Sequence, residues 1–183
     1  MERFKLSDAL LLSALALLLL SFKAAVKLKL GLVGHSMFMM TLVMLLARGL
    51  VPKTGSVLAT GFLTGLLAML LGIGKGGPLI LLKFMFPAAA IELACLLLPF
   101  APWQRKTAIL VGLCGLAAWI AKGMFELWLA GADAQFMLLQ MGWKGLGGGL
   151  FTLLAALCVP PLLARLAHHQ LIPQQRQPQG LTP

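Results

Sequence analysis

Five ionisable residues lie inside stretches otherwise apolar enough to meet lipid: Lys83, Glu92, Lys122, Glu126 and Lys144. A charge at the bilayer centre costs about 2.5–3.5 kcal/mol on insertion scales, so such residues face a protein interior or a watery cavity. Their number in a chain of 183 residues predicts a polar pocket inside a helix bundle. Lys122 and Glu126 are four apart, on one helix face, where they can pair. Two plainer readings stand beside the pocket: Lys122–Glu126 as a simple intrahelical pair, and Lys144 snorkelling to the interface. Three lysines against Glu126 leave a positive balance, which favours an anionic or electron-rich ligand. Trp119, Trp128 and Trp143 could stack on a flat ring, and equally serve as interface anchors. Glu92 lies roughly 13 Å further along its helix than Lys83 at 1.5 Å per residue. It reads as a buried acid hydrogen-bonded to a neighbouring helix.

These residues require elements that carry them through a membrane. The chain is 60% hydrophobic and 11% charged, with a mean hydropathy of +0.96; a soluble domain carries roughly 25% charged residues. The class predicted is an all-α polytopic membrane protein. A crossing helix needs about 20 mainly apolar residues. Six segments qualify, at 6–22, 34–50, 54–73, 78–100, 107–130 and 136–166, within one transmembrane domain over 1–167. The first follows a short charged head but lacks a small-x-small cleavage site, and reads as a retained helix. The fourth has Pro78 at its first position, where the missing N–H costs nothing. The sixth holds Gly145, Gly147, Gly148, Gly149, Pro160 and Pro161, and is expected to kink or break. The tail over 168–183, rich in Gln and Pro, is expected to be disordered and cytoplasmic.

Six spans put both termini on one side. With the N-terminus inside, the inner segments hold Arg3, Lys5, Arg48, Lys53, Arg105, Lys106, Arg165 and Arg176, against Lys23, Lys27, Lys29 and Lys75 outside. That bias favours cytoplasmic termini. The outer 23–29 segment alternates charge with apolar residues, as a loop lying on the surface or folding over a site would. In this topology Lys83, Lys122, Glu126, Trp143 and Lys144 converge on the outer halves of the last three helices.

The net charge of +10 is scattered between apolar runs and forms no continuous face, which argues against nucleic-acid binding. Cys95, Cys114 and Cys158 show no CxxC pair and no metal-ligand spacing. No HExxH, GxSxG, Walker A or paired-aspartate motif occurs, so no enzyme, cofactor or metal is expected. Any active transport would need ATPases from elsewhere. His168 and His169 fall beyond the last helix; His35 opens the second, where it could cap that helix or reach the pocket mouth. Gly61 and Gly65 form GxxxG, and Ala9 with Ser13 and Ser21 with Ala25 form the looser small-xxx-small pattern; such faces let helices approach closely.

A small six-helix protein without a motor resembles the substrate-binding S component of energy-coupling-factor (ECF) vitamin transporters. The likeness is strongest in LLGIGKGGPL over 70–79, followed at similar spacing by Glu92. That junction is similar to the branch assigned to thiamine precursors such as hydroxymethylpyrimidine. Lys83 and Pro87 depart from that branch. The resemblance implies a bundle in the bacterial cytoplasmic membrane that binds its ligand near the outer surface, using the loop after the first helix and the last three helices. It implies partnership with a transmembrane coupling protein and two ATPases, and toppling on ATP hydrolysis. It also implies docking through a small-residue face of the first helix, for which Ala9, Ser13, Ser21 and Ala25 stand in place of Ala-x-x-x-Ala. The substrate contacts would then be Lys83, Lys122, Glu126, Trp143, Lys144 and Trp119, with Glu92 organising the fourth helix. The alternative is a structural or assembly subunit of a larger membrane complex, its lysines pairing with a partner's acids.

Overall fold

The computed structural model describes residues 4–26, 35–73, 77, 79–98 and 104–168, and these form six α-helices. They are α1 (Leu6–Val26), α2 (His35–Leu50), α3 (Ser56–Leu70), α4 (Leu79–Leu97), α5 (Arg105–Leu129) and α6 (Ala134–His168). Four of them, α1, α4, α5 and α6, are long and apolar enough to cross a membrane; α2 and α3 are apolar but shorter, at 16 and 15 residues. The expected breaker at 74–78 apart from Gly77, the loop lysines Lys27, Lys29 and Lys75, Trp103, His169 and the tail lie outside the described residues.

The bundle is organised around α2, which touches all five other helices. Eleven of its sixteen residues are buried, including Met37, Val43, Met44, Leu45 and Ala47. Around it, α1 packs on α3, α3 on α4, α4 on α5 and α5 on α6. Long apolar side chains such as Leu82, Phe86, Leu93, Leu110 and Leu150 point outward, as expected where lipid replaces water as the solvent of the outer surface.

Glycines set the closest approaches. A Cβ on Gly61 would lie 2.5 Å from Ala88 Cβ, and one on Gly65 would lie 3.1 Å from Leu81 Cα. The GxxxG pattern is therefore spent inside the chain, on an antiparallel α3–α4 contact. Gly61→Ala should destabilise the bundle by about 1–3 kcal/mol, the usual cost of overpacking. Thermal unfolding in detergent measures it, and Gly61→Ala with Ala88→Gly should recover most of the loss. A second variant that stays as unstable as the first would show that the contact is not the cause.

Two expectations are corrected. The first helix runs one turn further than 22, to Val26, because the added residues include alanines, the best helix formers. The sixth is unbroken over 35 residues. Its glycines serve as packing surface: a Cβ on Gly148 would meet Leu116 at 3.0 Å, and one on Gly145 would meet Ile120 at 3.3 Å. Pro160 and Pro161 each remove a single N–H donor, and the helix continues past them because Pro160 and the flanking Val159 and Leu163 are buried against the core.

Candidate functional site: two charged ends of one bundle

Inter-helix contacts fix which residues share a level. On α5, Gly115 meets Ile91 and Pro87 O of α4, Gly112 meets Thr152 of α6, and Gly123 meets Met141. So α4 and α5 run antiparallel, as do α5 and α6. Met37 lies against Gly148 and Gly49 against Leu163, so α2 and α6 run parallel. The early part of α4, the late part of α5 and the early part of α6 thus meet at one end of the bundle.

That end collects the lysines. Lys122 Nζ donates to Glu126 Oε1 one turn later, and the lysine side chain is largely buried while the glutamate is half exposed. Lys83 on α4, Lys122 and Glu126 on α5, and Lys144 on α6 all fall at this end. Lys83 is itself exposed, but it stands three residues after Ile80 and four before Pro87, both buried. Lys144 stands three after Met141 and four before Gly148, also both buried. Each lysine therefore lies along the packing side of its helix. Lys23, near the end of α1, places its Nζ 4.2 Å from the ring centroid of the buried Phe84, a cation–π contact. His35 starts α2 at the same end, half-buried.

The tryptophans divide. Trp119 packs partly buried against the core. Trp143 is 68% exposed, one residue and about 100° away from Lys144. Trp128 is also exposed and stacks on Phe125, with ring centroids 6.1 Å apart. The structure thus brings Lys83, Lys122, Glu126 and Lys144 together with Trp119 nearby, and turns Trp143 to the outside of the bundle.

Glu92 belongs to the opposite end. It is 2% exposed, and its carboxylate accepts backbone N–H groups from α3: Gly55 N at 2.9 Å and Val57 N at 2.9 Å. Gly55, the N-cap of α3, has φ 91° and no side chain to cap with. Glu92 supplies from α4 what that position lacks, a negative charge and two acceptor oxygens at the positive end of the helix. Arg48 completes the arrangement, with Nη1 3.2 Å from Glu92 Oε1 and 2.6 Å from Lys53 O. Next to it, Asp8 Oδ2 pairs with Lys53 Nζ at 2.9 Å and accepts the Lys5 N–H at 3.1 Å. The last bond is the N3-to-N-cap half of a capping box. Asp8, also 2% exposed, lies inside the first apolar run and was not singled out from sequence. Its signal was available: an acid at the third helical position, followed by apolar residues on every side.

No family model and no curated protein matches the chain. Among solved structures, the crystal structure of an S-component of an ECF transporter aligns with a TM-score of 0.68, over 95% of this chain and 92% of that one, at 16% sequence identity. The chain has the S-component fold. Within that fold, the lysine end and the carboxylate end sit at opposite ends of the same helices. At 16% identity the likeness is one of fold, and the chemistry at each end is read from this chain's own residues.

Proposed function

We propose that this protein is the substrate-capture subunit of an ATP-driven, ECF-type uptake system for a small vitamin or vitamin precursor, with thiamine-related compounds among the candidate ligands. The observation that carries the reading is the coincidence of an S-component fold with a polar cluster, Lys83, Lys122, Glu126 and Lys144, gathered between α4, α5 and α6 at one end. In this reading the lysine end faces outward and both termini are cytoplasmic, in keeping with the basic residues around Arg48, Lys53, Arg105 and Lys106. Trp119 lines the site from below; Trp143 contributes as an interface anchor on the outer surface. Glu92 acts on the site indirectly, by holding α4 to α3.

The coupling protein and two ATPases supply the energy. Their docking face is the side of α1 carrying Ala9, Ser13, Ser21 and Ala25. Ala9, Ser21 and Ala25 are exposed and Ser13 is half-buried, while Asp8, Leu12, Ala16, Leu19 and Leu20 turn into the bundle. Small exposed residues at four-residue spacing let another helix come close.

Purified protein carries its ligand through a mild detergent extraction, and mass spectrometry of the released small molecules should find one compound at near-stoichiometric amount. Repeated preparations with no such compound, and no stabilisation by any tested vitamin, would count decisively against capture. Lys122→Ala separates this from an assembly role: it should weaken small-molecule binding and leave co-purification with the coupling protein intact. The reverse result would favour a structural subunit.

A further inference from the structure

We infer that the ligand is an organic anion, and that its acidic group is received between Lys83 and Lys144. This deepens the capture reading above and rests on it. The argument is one of charge balance. Of the cations at this end, Lys122 is paired with Glu126 and Lys23 is engaged over the Phe84 ring. Lys83 and Lys144 have no carboxylate partner among the described residues, and both stand at this end, beside the buried Ile80 and Pro87 of α4 and the buried Met141 and Gly148 of α6. Two uncompensated like charges at one level of a membrane bundle repel and are costly unless an anion joins them.

Their placement favours a ligand between helices over a lipid headgroup. The lipid-facing side of α4 carries Leu82, Phe86 and Leu93, all well exposed, whereas Lys83 follows the line of Ile80 and Pro87 toward α5. Lys144 follows the line of Met141 and Gly148 on α6. Two further polar groups shape what the anion is attached to. Pro87 has no N–H to give to the Lys83 carbonyl one turn earlier, so that acceptor lacks its usual helical donor. One turn before Lys144, Gln140 Oε1 is buried with no hydrogen-bond partner among the described residues, a costly state that a donor relieves. The ligand thus combines a carboxylate or phosphate with at least one N–H or O–H donor. Lys122–Glu126, already neutral as a pair, adds a polar surface on α5 at the same end.

The test uses the full chain in nanodiscs of phosphatidylcholine alone. A deproteinised small-molecule extract of the native host is split on an anion-exchange resin into retained and unretained fractions, and each is added during thermal unfolding. The retained fraction should raise the melting temperature by about 5–10 °C near hundred-fold excess over Kd. Lys83→Gln and Lys144→Gln should each reduce that shift severely, while Lys106→Gln, at the other end of α5, should leave it unchanged. A shift from the unretained fraction only would overturn the anion inference and leave the capture reading standing. Stabilisation that appears only when phosphatidylglycerol is mixed into the nanodiscs would assign the lysines to lipid and overturn it as well. No shift from either fraction, in any lipid, would remove the capture reading and this inference together.

Discussion

Glu92→Ala should destabilise the bundle by about 3–5 kcal/mol, the range for breaking a buried ion pair by removing one partner. Two losses combine. Arg48, mostly buried, is left with its positive charge facing the space the carboxylate held. The Gly55 and Val57 N–H groups at the start of α3 lose their only acceptor from α4. Glu92→Gln is the informative companion. It keeps one acceptor oxygen and the side-chain volume but removes the charge, so it should retain part of the capping and little of the Arg48 attraction, landing between wild type and alanine. Urea or thermal unfolding in detergent measures the series. Equal stability of Glu92→Ala and wild type would show that the contacts at this end contribute nothing net. Co-substitution of Arg48→Met with Glu92→Gln should be milder than Glu92→Ala alone, because a buried pair replaced by apolar groups costs less than a buried charge left single.

Lys83→Glu should reduce ligand affinity by roughly 10-fold or more, the fold-change of about 1.5 kcal/mol at the lower end for a hydrogen bond to a charged group. The reversal acts twice. It removes one of the two cations offered to the ligand's acidic group, and it places a second carboxylate at the end that already carries Glu126. Lys83→Arg keeps the charge with different reach and donor geometry, and should lose far less. Binding measured by calorimetry, or uptake by cells carrying the whole transporter, reads the difference. If Lys83→Glu and Lys83→Arg bind alike, position 83 lies outside the site. Folding is a separate measurement here, because Lys83 is exposed and its substitution opens no cavity.

How far the sequence reached depended on the distance over which each feature is encoded. The all-α membrane bundle was legible, because long hydrophobic runs have few other solutions, though only four of its six helices reach span length. The common level of Lys83, Lys122, Glu126 and Lys144 was legible too, since helical rise and alternating direction place residues along the membrane normal. Rotation around the helix axis was harder. Trp143 and Lys144 are neighbours in sequence, and only packing against α5 reveals that one faces in and the other out. Glu92 read as a buried acid with an unnamed neighbour. Its partners lie 44 and 37 residues away in sequence at Arg48 and Gly55, and nothing local marks them. Arg48 looked like a flank that sets topology; it is also half of a buried ion pair. The run of α6 through Pro160 and Pro161 was misjudged because proline was weighed by what it removes, and not by the packing on either side.

The unequal lengths of the helices carry a mechanical consequence. A bilayer's hydrocarbon core is about 30 Å thick, yet the helical part of α3 spans only about 22 Å and α6 about 52 Å at 1.5 Å per residue. A helix shorter than the core is met by local thinning of the bilayer, at a fraction of a kcal/mol per ångström, whereas α6 carries Arg165 and His168 in its last turn and can run on into the headgroups without stretching lipid. The mismatch therefore falls on the α3 flank of the bundle. Bilayer thickness becomes a control variable: shorter acyl chains relax the α3 flank and longer ones tighten it, and any tipping of the bundle within the membrane is helped or hindered by the lipid in which it is placed.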